Sequence, residues 1–202
     1  SLLETLKQRV LVWDGAMGTT LQRFHFKAAD FGGPALEGCN DWLCQTRPDV
    51  ITEIHEKYLE AGADGVETNT FGSSWFKLDE YKVADRTYEQ NLVAARLARA
   101  AADRFATPDR PRFVAGSIGP SGFLPSSEDP SLGNIAFDRI VEGFLDQVRG
   151  LADGGADAFL IETSQDILEV KAQIFAARRW MRESGKRLPV LAQVTLDRTG
   201  RM

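Results

Sequence analysis

A chain of 202 residues, 43% hydrophobic and 26% charged, is long enough for one domain with a sizeable core, which excludes disordered and fibrous classes. A formal net charge of -5, with Lys and Arg scattered along helices, leaves no basic footprint for nucleic acid and favours a small metabolite as partner. No apolar run reaches the roughly 18 to 20 residues that cross a bilayer, Ser1-Leu2-Leu3-Glu4 is charged too early for a signal peptide, and the sequence reads as cytoplasmic.

Residues 2–9 predict a short leading helix, and Val10 to Trp13 a first strand of the kind buried on both faces, ending in Asp14-Gly15 and Gly18. The stretch from about 21 to 47 is irregular, with Gly32-Gly33-Pro34, Gly38, Cys39 and Cys44, and a loop of that length is more often functional than incidental. Its two cysteines are too few and too local for a disulfide framework. A helix then begins with Thr46 as cap, Pro48 in the first turn and Asp49 at the positive end of the dipole. Val50, Ile51, Ile54, Tyr58 and Ala61 make its apolar stripe, Gly62 ends it, and a strand follows around Val66.

The same grammar repeats. Glu89 to Phe105 predicts a helix with Val93, Leu97, Ala101 and Phe105 inward, Pro108 and Pro111 break the chain, and Arg112 to Ala115 is a strand. Residues 116–137 are rich in Gly, Ser and Pro; Val141, Phe144, Leu145, Val148 and Leu151 then mark an amphipathic helix stopped by Gly154-Gly155. Ala158 to Ile161 is the next strand, Ile167, Val170, Ile174 and Met181 share one face of a helix closed by Gly185, and Pro189 to Thr195 is a fifth strand.

Alternating strand and helix implies a parallel sheet with right-handed crossovers. Short helix-to-strand turns and long strand-to-helix loops point to a (β/α)8 barrel with its site on the C-terminal face, although a doubly wound sheet obeys the same local rules. Neither a Walker loop nor a Gly-x-Gly-x-x-Gly fingerprint is present, which disfavours nucleotide binding.

Three strands deliver an acid at their C-terminal ends: Asp14, Glu67 and Glu162. On one face of a parallel sheet they form an acidic mouth that binds an ammonium or a metal, or does acid and base work; alternatively each acid only caps the following loop. Gly15 and Gly18 let backbone N–H groups approach a carboxylate, so acids plus free amides suit an amino acid zwitterion. Cys39, Cys44, His25 and His55 match no structural zinc spacing, and Trp42, Phe71 and Trp75 near the site face serve equally well as loop anchors. Residues 61–68 are echoed in residues 154–163; turn chemistry offers one reading of the shared Gly-Ala-Asp, whereas the Glu after each apolar run is less readily a matter of stability.

Asp14-Gly-Ala-Met-Gly-Thr19, Gly38-Cys-Asn-Asp-Trp-Leu43, Glu67-Thr-Asn-Thr-Phe71, Gly116-Ser-Ile-Gly-Pro120 and Ile161-Glu-Thr163 together resemble the N-terminal homocysteine-binding domain of the cobalamin-dependent methionine synthases, within the homocysteine S-methyltransferase family. The resemblance implies an α/β fold, a (β/α)8 TIM barrel of which about the first five βα units are present, with residues 1–202 forming one homocysteine-binding domain cut before the sixth strand. It implies methyl transfer from methylcobalamin to a zinc-activated homocysteine thiolate, with Asp14 and Glu162 holding the substrate ammonium and the backbone of Gly15, Ala16 and Met17 its carboxylate. Glu67, Asn69 and Thr70 line the same mouth as further substrate-binding residues. The zinc-binding cysteines of the family belong to strands six and eight, so no catalytic residue or metal ligand is assigned here, and zinc is expected to be held beyond residue 202. Folate- and cobalamin-binding modules of the same longer polypeptide are the implied partners, and the fragment alone is expected to be inactive and poorly stable. Other readings are a betaine- or S-methylmethionine-dependent enzyme of the same family, a lyase or aldolase barrel with Glu67 or Glu162 as base, and a non-catalytic amino-acid-binding fragment.

Overall fold

The computed structural model describes residues 1–196 and 198–200. In chain order the helices are α1 (Leu2–Leu6), α2 (Met17–Gln22), α3 (Leu43–Thr46), α4 (Pro48–Ala61), α5 (Trp75–Asp79), α6 (Thr87–Phe105), α7 (Pro130–Gly133), α8 (Phe137–Asp153) and α9 (Ile167–Ser184). The strands are β1 (Gly65–Glu67), β2 (Phe113–Ile118), β3 (Ala158–Ser164) and β4 (Val190–Val194), all parallel in the order β1-β2-β3-β4. The α/β class expected from the alternation and the partial (β/α)8 barrel implied by the family resemblance are the architecture observed.

The first expected strand is reduced to one parallel bridge, Trp13 to Gly65, flanked by Asp64 N to Val12 O at 2.6 Å and Asp14 N to Gly65 O at 3.1 Å. It is not buried on both faces: Val10 and Val12 are 83% and 60% exposed, while Leu11 and Trp13 turn the other way. On the inner side Leu11, Phe113 and Ala158 join Leu2, so α1 plugs the end of the barrel interior away from the acids.

The outer layer is built from the helices. In α8 the expected Val141, Phe144, Leu145, Val148 and Leu151 are all buried, and Ile140, which was not expected, joins them. In α6 the expected Val93, Leu97 and Phe105 are only half-buried; the buried stripe is Ala94, Ala95, Ala98, Ala101 and Ala102. Small side chains let α6 and α8 approach so closely that a Cβ on Gly154 would sit 2.5 Å from that of Ala95. Similarly Ile167 in α9 is 48% exposed, and Ala172, Ala176, Ala177 and Trp180 do the packing. Helix α4 starts at Pro48, but its cap is Arg47 rather than Thr46, whose hydroxyl bonds back to Trp42 O; the expected inner residue Ala61 is exposed.

The two Gly-Ala-Asp sequences do the same structural job, which turn chemistry alone did not reveal. Asp64 N donates to Val12 O while its Oδ2 accepts from Val12 N at 3.0 Å; Asp157 N donates to Val114 O while its Oδ2 accepts from Val114 N at 2.9 Å. Each aspartate opens its strand and clamps the preceding one. Asp64 also takes a two-pronged bond from Arg9, at 2.8 and 2.9 Å, and faces Arg112 at 3.5 Å.

Candidate functional site

A cavity of about 330 Å³ opens at the C-terminal ends of the strands, lined by Asp14, Gly15, Ala16, Met17, Gly18, Glu67, Thr68, Asn69, Phe71, Ser117 and Glu162. Seven of the eight residues singled out in the sequence, namely Asp14, Gly15, Ala16, Met17, Glu67, Asn69 and Glu162, are on this wall. Thr70 is not. It is fully buried beneath it, its hydroxyl donating to Ser117 O at 2.7 Å.

Asp14 reaches the cavity because the first segment runs beside β1, and its Oδ1 accepts from Glu67 N at 3.0 Å. Burial first, then the nearby Glu67 carboxylate, pushes the Asp14 pKa up to about 8; burial and then Glu162 push Glu67 up to about 7. Asp14 and Glu67 thus hold protons near neutral pH that a cation would displace. On the same cavity, lined also by Gly15 to Gly18, α2 begins at Met17 with no side-chain cap, so its first N–H groups lack intrahelical partners. Acid side chains and free amides meet across one space.

Glu162 owes its position to a bulge. Ile161 lies opposite Ala192 and Ser164 opposite Val194, so β3 carries one extra residue there. Thr163 takes up the slack at φ 58, a left-handed conformation that a β-branched residue adopts only under tertiary constraint. Beyond the bulge Ser164 turns to the helix side, its hydroxyl 3.5 Å from Gln173 Oε1 in α9, while Glu162 stays on the cavity side.

The loop after β1 is stitched to the earlier irregular segment. Asn69 Nδ2 donates to Asn40 O at 2.9 Å and to Cys44 Sγ at 3.6 Å, and Asp41 accepts from Gly72 N at 2.9 Å and Ser73 Oγ at 3.2 Å. Burial raises Asp41 to about 6. The Gly38–Leu43 motif therefore holds the loop that carries Glu67 to Phe71. Trp42 is partly buried in that segment and Phe71 lines the cavity, whereas Trp75 is not on the cavity wall and packs edge-on to Phe76.

The residues present do not make a zinc site. Cys39 and Cys44 are buried free thiols; burial, reinforced by Asp41, pushes Cys39 up to about 12 and Cys44 higher still, away from the thiolate a metal needs. His25 is exposed, and His55 is fully buried in α4 with burial lowering its pKa to about 4. Among the described residues no three His, Cys, Asp or Glu side chains are grouped to hold a metal ion. No helix among them is long and apolar enough to cross a membrane.

Thr68 and Ser117 were quoted in motifs but given no role from sequence. The available signal was Ser117 itself, the one hydroxyl side chain in the fully buried strand Phe113–Ile118.

Parallel strands ending in an acidic cavity, with helices packed outside, define an acidic site of the α/β-barrel class. Residues 11–202 match the homocysteine S-methyltransferase family, and the chain belongs to that family. It is 47% identical over 201 residues to methionine synthase of Mycobacterium tuberculosis and 46% identical to that of Mycobacterium leprae, covering 100% of this chain and 16% of each of those proteins. Among solved structures it resembles the homocysteine methyltransferase MmuM from Escherichia coli. The metallated form superposes with a TM-score of 0.74 at 21% identity over 96% of this chain and 66% of that one. The oxidised form gives 0.72 at 20% identity over 95% and 63%. At such identity these structures speak for the fold.

Proposed function

We propose that this chain is the homocysteine-binding part of a methionine synthase, a longer methyltransferase in which homocysteine accepts the methyl group. The observation that supports this most is the convergence of Asp14, Glu67 and Glu162 with the uncapped start of α2 around one cavity. Asp14 and Glu162 hold the substrate ammonium, and the N–H groups of Gly15, Ala16 and Met17 hold its carboxylate. Glu67 completes the acidic wall, Asn69 keeps that wall in place through its bonds to Asn40 and Cys44, and Thr70 supports it from below. With both ends of the zwitterion fixed, the side-chain sulfur is the part left free to react.

The chain spans 16% of the methionine synthases it matches. The zinc and methylcobalamin implied by the resemblance, and the folate- and cobalamin-binding modules that go with them, are assigned to the rest of such a polypeptide, because the donors for a metal are not among the described residues here. The test is calorimetric titration of the longer enzyme with homocysteine and with 2-aminobutyrate, which keeps the ammonium and carboxylate but lacks the thiol. Both ligands bind; zinc strengthens homocysteine alone. Failure of both to bind with and without zinc refutes the proposal.

A further inference from the structure

Beneath the acidic wall lies a closed set of hydrogen bonds whose proton directions are all determined. Thr70 Oγ1 donates to Ser117 O at 2.7 Å. Its one proton being spent, the 2.6 Å contact between Thr70 Oγ1 and Thr68 Oγ1 must be donated by Thr68. Thr68 Oγ1 in turn accepts from Ser117 N at 3.0 Å. Gln147, reaching up from α8, donates through Nε2 to Thr70 O at 2.8 Å and to Ser117 O at 3.4 Å. Thr68, Thr70, Ser117 and Gln147 are all buried, and both backbone polar groups of Ser117 are committed.

What remains on Ser117 is its hydroxyl, and it donates to Glu162 Oε1 at 2.5 Å. A carboxylate accepts but does not donate, so this direction too is settled. The carboxylate of Glu162 has two side-chain contacts, Ser117 Oγ at 2.5 Å and Thr163 Oγ1 at 3.5 Å, and only the first is short enough to fix its orientation. Oε1 is taken, and Oε2, with the Thr163 hydroxyl 3.5 Å away, is left to meet a ligand in the cavity.

We propose that Ser117 is the positioning residue of the ammonium subsite: anchored by Thr68, Thr70 and Gln147, it holds the Glu162 carboxylate in the orientation that receives the substrate ammonium. This rests on the reading of the cavity as an amino-acid site. It also gives Thr70 a function at one remove, as the residue that fixes Ser117.

The test is a double-mutant cycle in the longer enzyme, read as the dissociation constant of 2-aminobutyrate. Loss of one hydrogen bond to a charged group corresponds to about a ten-fold weakening for Ser117→Ala. In a Glu162→Gln background the same substitution should change affinity by less than about two-fold, since Ser117 acts through Glu162. Ser117→Cys, which preserves volume but donates weakly, should fall between the two and stands in if the alanine variant folds poorly. Penalties that simply add in the double variant, or a Ser117→Ala enzyme that binds like the parent while Glu162→Gln weakens binding, overturn the role of Ser117 alone. A Glu162→Gln enzyme with unchanged affinity overturns the amino-acid site itself.

Discussion

Binding of an amino acid ammonium should expel protons from the cavity. In the free protein Asp14, raised to about 8, and Glu67, raised to about 7, share a wall with Glu162. At pH 7 the first group is then about nine-tenths protonated and the second about half, so the wall carries roughly one to one and a half protons. An ammonium placed between the carboxylates favours their ionised forms, and those protons leave. Titrating the longer enzyme with 2-aminobutyrate in buffers of different ionisation enthalpy measures the release directly, free of any proton lost by a thiol. The slope should correspond to about one proton released per ligand, and affinity should rise up to about ten-fold per pH unit between pH 6 and 8. Asp14→Asn should remove most of the release. A slope near zero, or proton uptake, refutes the argument that these acids are held protonated for an incoming cation.

At the opposite end of the barrel, Asp64→Asn should destabilise the protein by about 3 kcal/mol in denaturant unfolding, because it strips the counterion from Arg9 and leaves the buried Arg112 guanidinium uncompensated; a loss below about 1 kcal/mol would contradict this. The Arg9 bond holds Asp64 down at about 2, from an ordinary 3.8, so its contribution is present above pH 3.8 and is lost as pH falls toward 2. His55 works in a higher window: burial lowers it from 6.5 to about 4, so the unfolded chain binds a proton that the folded one refuses, and stability falls as pH drops from 6.5 to 4. His55→Leu should flatten that slope and raise the melting temperature, since both ring nitrogens are buried with no hydrogen-bond partner among the described residues; an unchanged slope counts against it. Finally, Val10 and Val12 at one edge and Val194 and Leu196 at the other are 83%, 60%, 47% and 54% exposed, so the isolated 202-residue chain should aggregate or melt without cooperativity. A monomeric chain with a sharp transition by circular dichroism would refute this.

Periodicity and punctuation were enough to read the alternating elements. Gly62 and Gly185 do end α4 and α9 in left-handed conformations, at φ 112 and φ 71, and the acids at strand ends do gather at one cavity. These are local consequences of residue type: a glycine permits a positive φ, and a strand in a parallel sheet presents its last side chains at a common edge. What depended on neighbours was not legible. Whether Val93 or Ala94 faces inward in α6 is decided by how closely α8 approaches. The first strand shrank to a single bridge with Gly65, and how much of a segment pairs with a distant one is not encoded in the sequence of that segment. Thr70 and Asn69 looked alike in sequence, two polar residues side by side after Glu67, yet one lies under the wall and the other on it. Only the tertiary structure shows that Ser117 reaches Glu162 across 45 residues, since a hydrogen bond between adjacent strands is set by their register and by the bulge at Thr163. The sequence by itself determined which acids the site contains; packing determined which way they point and what holds them there.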